Sequence, residues 1–425
     1  MSFDSISPID GRYRAEAEAL AAYFSERSLT RERVKVELTY LRLLVKLGVA
    51  PPVKVPQVGQ NMMEIKRLEE ELGHDVKAVE VYVRRSLKRL GAARLTPYVH
   101  IGLTSEDTNS LAYALLLKSS LEEVLVPAYS SLASELAKTA GKEAATAMVA
   151  RTHGRPAVPT TFGKEMAVFA IRIAERVSVL RKLRPMAKFT GAVGTYASFS
   201  LLGAMDWPGE LSRFVAGLGV EPATYSTQVV PGERLSDILH HIININQLVL
   251  SLSRDLWLYQ ALGLVKFLRP GKVSSSTMPQ KVNPVDLENA EGQVEVSNSL
   301  LMLLAYRLEV TRLQRDLSDS VVRRMLGQAL AHSFLATSRL RASLLSMKIE
   351  RAAMARDLKA HPEVYAEREQ ISLRLRGDER GYEKIKADIE RGNFSPARKG
   401  VDPYVGMAPT LARRCPAAVR RLLAS

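Results

Sequence analysis

Three polar segments of this 425-residue chain hold the side chains whose types and spacing could do chemistry. The first reads His100-Ile-Gly-Leu-Thr104-Ser105-Glu106-Asp107-Thr108-Asn109 and stands immediately before a helical stretch starting near Ser110. A hydroxyl followed by Asp107 has the form of a helix N-cap, and capping alone accounts for the hydroxyls. Adjacent hydroxyls over free backbone N–H groups at a helix N-terminus also make a carboxylate site. The second reads Arg151-Thr152-His153-Gly154-Arg155-Pro156-Ala157-Val158-Pro159-Thr160-Thr161, where two prolines and a glycine hold a histidine in a rigid turn. A lone histidine is commonly structural, but this one has no apolar face to fill, and its neutral-range pKa suits proton transfer. The third reads Lys272-Val-Ser274-Ser275-Ser276-Thr277-Met278-Pro279-Gln280-Lys281-Val282-Asn283-Pro284. Its Ser/Thr run between Gly271 and Pro279 cannot comfortably continue a helix and reads as a mobile loop. Lys281 and Asn283 stand just before a helix whose N-terminus favours negative charge. An ordinary linker would explain the serines, but not a lysine and an asparagine beside Pro284.

The elements that must position these segments are helical almost throughout. From Arg234 to Leu268, apolar residues recur at Leu235, Ile238, Leu239, Ile242, Ile245, Leu248, Leu252 and Leu256, the spacing of one helix face. Ile243, Val249 and Leu250 widen that stripe, so this helix is expected to be buried on several sides. Leu111–Val126 is expected to break at Pro127 and resume to about Lys138. Phe162 to about Leu183 is amphipathic, and Val285–Leu313 opens after Pro284, a residue suited to a first helical turn. Strand-like alternation is scarce and hairpin signals are nearly absent. The expected class is all-α. Breaks at Ala50–Pro56, near Leu95–Pro97 and near Ser346–Ile349 divide the chain into an N-terminal helical domain (1–97), a central long-helix domain (98–345) and a smaller C-terminal domain (346–425). Long helices that are apolar on several faces commonly bury against partner chains, so an oligomer is expected.

Composition narrows the function classes. The apolar runs are too short to cross a bilayer, and no apolar segment follows the basic-poor start, so a cytoplasmic protein without membrane association is expected. The single Cys415 supports neither an internal disulfide nor, by itself, a metal site, and reads as a packing residue. A net charge of +15 is part of a nucleic-acid-binding footprint. Yet the basic residues are mixed with acids, as in Arg31-Glu32-Arg33-Val34-Lys35-Val36-Glu37, which reads as a solvated helix face. No zinc-finger or RNP pattern appears, so no nucleic-acid partner is expected, and the excess charge suits a polyanionic small substrate.

With its three blocks in this order, the chain resembles the fumarase/aspartase superfamily, whose signature the SSxxMPxKxNP-like run Ser274–Pro284 matches. Ser7-Pro-Ile-Asp-Gly-Arg12-Tyr13, His74-Asp75-Val-Lys-Ala-Val-Glu80, Thr227-Gln228 and Gln314-Arg315-Asp-Leu-Ser-Asp-Ser320 followed by Arg324 resemble its adenylosuccinate lyase branch, and the likeness continues to Tyr382-Glu383-Lys384. The resemblance implies an all-α homotetramer with a central helical bundle and active sites shared between subunits. It also implies β-elimination of fumarate from a succinyl group. Carried over by motif, Ser275 would be the general base and His153 the general acid. Lys281 and Asn283 would stabilise the developing aci-carboxylate, and Glu288 would orient His153 or hold its charge. Thr104 and Ser105 would hold a succinyl carboxylate, with Gln228 hydrogen-bonding the substrate. Arg12, Tyr13, Arg315, Ser320 and Arg324 would hold the nucleotide and its phosphate, and His74, Asp75, His100 and Thr152 would complete the binding set.

No metal or organic cofactor is implied, because the substrate's own carboxylate is the electron sink. The substrates implied are adenylosuccinate, giving AMP, and succinyl-aminoimidazole carboxamide ribotide. Two positions depart from the family pattern: Ser274 stands where glycine is usual, and Arg155 where glutamine is. An arginine beside His153 would either lower the imidazole's pKa or bind a substrate carboxylate. Argininosuccinate lyase, with a similar signature loop, or another fumarate-releasing lyase is the alternative within the superfamily. A basic binding protein that kept the fold and lost the chemistry is the alternative outside it.

Overall fold

A computed structural model describes residues 4–268, 277–278, 280–396 and 404–425. Ser274, Ser275 and Ser276 lie outside the described residues. The expected all-α class holds. Long helices at Ser105–Ser120, Val126–Lys142, Phe162–Leu180, Glu233–Ala261, Val285–Leu308 and Leu326–Ser346 dominate, and the strands are short pairs. No helix among the described residues is long and apolar enough to cross a membrane.

The apolar repeat in the Glu233–Ala261 helix does what its spacing dictates: Ile238, Leu239, Ile242, Ile245, Leu248, Leu252 and Leu256 are all buried, and so is Val249, which widens the stripe. The helix ends earlier than the sequence pattern suggests. Gly263 takes a left-handed φ of 73°, and Val265–Phe267 then pairs antiparallel with Met347–Ile349. Pro127 does not break its helix either. Pro127 has no N–H to give, and the chain absorbs the gap in a π-helical turn at Leu121–Leu125, where the Val126 N–H bonds to the Leu121 carbonyl five residues back.

Sequence patterning missed one hairpin. Ala147–Thr152 and Arg155–Thr161 pair antiparallel, with Thr152 opposite Arg155. Pro156 and Pro159 hid the second strand, since proline cannot donate to a ladder and sits only at edges.

The chain folds as two compact units. One comprises Met1–Pro127, Val179–Ile243 and Glu295–Leu335; the other comprises Ala128–Ser178, Asn244–Val294 and Ala336–Ser425. The first unit is organised around Tyr40, fully buried, whose ring meets Phe189 edge-on at 5.2 Å and Phe199 at 6.4 Å. In the second, Gly163 lets the start of the Phe162–Leu180 helix approach the end of Val126–Lys142. A Cβ there would stand 2.5 Å from the Ala140 carbonyl oxygen. Cys415 packs in the Ala408–Ala424 helix, and burial pushes its thiol up to about 11, which leaves it an inert packing residue.

Candidate active site

In the first unit a cavity of about 700 Å³ opens beside the N-termini of two helices, Asp75–Arg89 and Ser105–Ser120. That size suits a small-molecule site, which typically takes roughly 300–1,000 Å³. His74, Asp75, Thr104, Ser105, Gln228, Arg315, Ser320 and Arg324 line it, along with Arg33, Glu106, Asn109, Tyr113 and Arg323.

His74 caps its helix: its Nδ1 accepts from the Lys77 backbone N–H at 3.3 Å. A neutral His74 therefore carries its proton on Nε2 and keeps that donor for a ligand. Asp75 follows, with Oδ2 at 2.7 Å from Arg33 Nη2. Burial pushes the Asp75 carboxyl up, but Arg33 and the Val76 N–H more than compensate, so it lies below its ordinary value.

The Thr104–Asp107 turn is locked from within. Asp107 Oδ2 accepts from the Thr104 N–H at 2.8 Å, as the capping pattern requires. Its Oδ1 accepts from Lys188 Nζ at 2.7 Å and from the Thr190 N–H at 2.9 Å. Both members of the Asp107–Lys188 pair have no exposed side-chain surface. Burial pulls the Lys188 ammonium below its ordinary range, with Asp107 opposing. One residue further back, Glu106 is also buried and receives both Arg315 and Arg323.

The second unit presents the His153 hairpin. Thr152 and Arg155 close a two-residue loop in which His153 (φ 53°) and Gly154 (φ 76°) are both left-handed. Two positive φ values in a two-residue loop are what a type I′ turn demands, and histidine enters that region more readily than most residues. The turn leaves the imidazole exposed. Arg151 anchors the hairpin: its Nη2 lies 2.8 Å from both carboxylate oxygens of Asp357. At the mouth of the Val285–Leu308 helix, the Pro284 carbonyl accepts from the N–H groups of Leu287 and Glu288. Lys281 is exposed there and Asn283 is half-buried. Glu288 Oε1 accepts from Trp257 Nε1 at 3.2 Å.

Residues 11–296 match the family described as "Lyase", and residues 311–404 match "Adenylosuccinate lyase C-terminal". The adenylosuccinate lyase of Legionella pneumophila (strain Corby) is 35% identical, covering 93% of this chain and 90% of that protein. The Escherichia coli (strain K12) adenylosuccinate lyase is 34% identical, covering 92% and 89%. The chain belongs to the adenylosuccinate lyase family. It is accordingly a lyase. The fold is shared with a solved structure, the 3-carboxy-cis,cis-muconate lactonizing enzyme from Pseudomonas putida, at a TM-score of 0.78 and 21% identity over 95% of this chain and 97% of that one.

Against the family motifs, the cavity gathers residues from four separate stretches of sequence: 74–75, 104–105, 228 and 315–324. Arg12, Tyr13 and His100 are not among its lining residues. Arg12 is exposed in the turn before the Arg14–Phe24 helix, and Tyr13 precedes that helix directly. His100 turns inward, its Nδ1 2.6 Å from Glu37 Oε1, which also accepts from Thr108 Oγ1 at 2.8 Å. Burial works against the His100 imidazolium, but the Glu37 carboxylate prevails and raises its pKa. Thr152, His153, Lys281, Asn283 and Glu288 belong to the second unit. Among the described residues no hydrogen bond joins Glu288 to His153; Trp257 occupies the carboxylate instead.

Several residues that shape the cavity escaped the sequence reading. Arg33 and Glu37 lie in the segment read as a solvated charged face, yet both are buried. Their helix turns them toward the Ser105–Ser120 helix, where Arg33 Nε donates to Asn109 Oδ1 at 2.9 Å. Lys188 did carry a signal: a lone lysine in the run Met186-Ala187-Lys188-Phe189, apolar on both sides. Arg323 carried none, since nothing in the sequence separates it from its exposed neighbour Arg324.

Proposed function

We propose that the chain performs the reaction for which its family is named, eliminating fumarate from adenylosuccinate to leave AMP. It would split the earlier purine intermediate, succinyl-aminoimidazole carboxamide ribotide, in the same way. The observation that carries this reading is the cavity. Residues spread from His74 to Arg324 meet around a space of nucleotide size, with hydroxyls at one helix N-terminus and four arginines, Arg324 the most exposed, in its lining. Thr104 and Ser105 suit a succinyl carboxylate. Arg315, Ser320 and Arg324 suit a phosphate, whose oxygens match a guanidinium fork.

The proposed chemistry needs two proton transfers. Ser275 removes the proton from the carbon beside a succinyl carboxylate, and Lys281, Asn283 and the start of the Val285–Leu308 helix stabilise the negative charge that builds there. His153 protonates the nitrogen that leaves with AMP, and Glu288 supports it. Arg155, next to the turn, is exposed and would meet a substrate carboxylate there. No cofactor enters this scheme.

The working form is a homotetramer in the cytoplasm, with each site completed by side chains from more than one subunit. The three-domain division at 97 and 345 belongs to the same reading. Support for assembly comes from Val296, Met302, Leu303 and Tyr306, which recur at helical spacing along the Val285–Leu308 helix and are 44–61% exposed in the single chain. Leu303→Arg is expected to shift the protein from tetramer to smaller species in light scattering and to lower activity together with it. A wild-type chain that is monomeric and fully active would remove the assembly from the account.

Incubating the purified protein with adenylosuccinate and, separately, with argininosuccinate separates the two lyase readings. Fumarate is expected from the first and not from the second. The reverse outcome would make argininosuccinate the substrate, and no product from either would leave another fumarate-releasing lyase or a protein that kept the fold without the chemistry.

A further inference from the structure

The cavity wall contains the same three-part arrangement twice. On one side Arg33, with only 7% of its side chain exposed, donates to Asp75, and Arg324 Nη2 approaches the same Asp75 oxygen at 3.7 Å with 56% exposed. On the other, the buried Arg323 pairs with Glu106, and Arg315 Nη1 meets the second Glu106 oxygen at 3.2 Å. Each carboxylate thus lies between a buried inner arginine and a less buried outer one, and all four arginines line the cavity. Each inner arginine is held through two of its nitrogens. Arg33 also holds Asn109, and Arg323 also holds Asp319 at 2.8 Å. Arg315 commits only Nη1, shared between Glu106 and Gln228; among the described residues its Nε and Nη2 make no hydrogen bond.

We propose that Asp75 and Glu106 are positioning residues that aim Arg324 and Arg315 at the substrate's phosphate and do not themselves touch substrate. This rests on the nucleotide reading of the cavity given above. Direct contact is disfavoured on simple grounds: a carboxylate facing a phosphate repels it, and both Glu106 oxygens are already taken by guanidinium groups. A flexible arginine loses side-chain entropy when it binds, and a fixed carboxylate behind it removes that cost in advance. Aiming and simple charge balance predict opposite signs. If Asp75 and Glu106 only lowered the positive field, neutralising them would tighten phosphate binding. If they aim the outer arginines, neutralising them weakens it.

Glu106→Gln and Asp75→Asn test this. Each is expected to lower the kcat/KM ratio of adenylosuccinate over its dephosphorylated nucleoside by on the order of tenfold, mainly through KM. Inorganic phosphate, titrated calorimetrically into the intact oligomer, is expected to bind more weakly to both variants by a similar factor. Tighter phosphate binding, or an equal loss on the phosphorylated substrate and the nucleoside, would overturn the proposal. Asp75 is a quarter exposed, so Asp75→Asn reads out the arrangement even where Glu106→Gln compromises folding. Wild-type protein that binds phosphate but releases no fumarate would count against the proposed reaction, and the phosphate titrations would still judge the two carboxylates.

Discussion

Replacing His153 by asparagine is expected to lower kcat by about 10²–10⁴-fold, the usual contribution of a positioned acid or base. Asparagine is the informative choice because of the backbone. His153 sits at φ 53° in a loop whose second residue is also left-handed. Asparagine enters that region readily, whereas a β-branched residue would strain the turn. The hairpin should therefore keep its register, and the Arg151–Asp357 anchor lies outside the change. Circular dichroism and the denaturation midpoint should match wild type while fumarate release collapses. Retention of kcat within a few-fold would remove His153 from proton transfer. Ser275→Ala is expected to give the same loss, with adenylosuccinate still bound.

The largest expected effect on stability comes from Lys188→Met. In wild type, Asp107 and Lys188 are both without exposed side-chain surface and lie 2.7 Å apart. Removing the ammonium leaves a buried carboxylate without its counter-charge, a change that typically costs about 3–5 kcal/mol. The carboxylate retains the Thr104 and Thr190 N–H donors, so the loss falls on charge and not on hydrogen bonding alone. Chemical denaturation should show Lys188→Met unfolding at much lower denaturant than wild type. The double variant Asp107→Asn/Lys188→Met, which buries no net charge, should recover part of the difference. Equal midpoints for wild type and Lys188→Met would contradict this account of the pair. Because Asp107 also fixes the Thr104 N–H, the single variant is expected to disturb the Thr104–Ser105 turn of the cavity as well.

Periodicity made the long helices legible. Eight apolar positions between Leu235 and Leu256 name the buried face of the Glu233–Ala261 helix, and seven of them are buried in the fold. Helix ends were less legible, because they depend on partners outside the helix. The stop at Ala261 is tied to a strand pair with residues Met347–Ile349, far along the chain. The hairpin was hidden because its prolines argue against strand, while its turn rests on a histidine accepting a left-handed backbone.

The cavity divides the same way. His74, Thr104, Ser105, Gln228, Arg315, Ser320 and Arg324 could be named from motifs, and all of them line the cavity. Arg33 and Arg323 could not, since their work is to hold other side chains and only the folded contacts distinguish them from surface charges; Lys188 stood out only as a lysine flanked by apolar residues. His100 shows the converse. Its motif marked it as a pocket residue, and the structure turns it to Glu37, where it braces the turn that carries Thr104. Ser275 carries the proposed base function on its motif alone.

The most direct test of the central claim is the identity of the products formed from adenylosuccinate by the purified wild-type protein. Elimination predicts AMP and fumarate in equal amounts, resolved by chromatography, with no malate or aspartate formed. Malate appearing with AMP would mean that water displaces the nitrogen at the succinyl carbon, and aspartate appearing with IMP that water attacks the purine ring carbon; either would contradict the account.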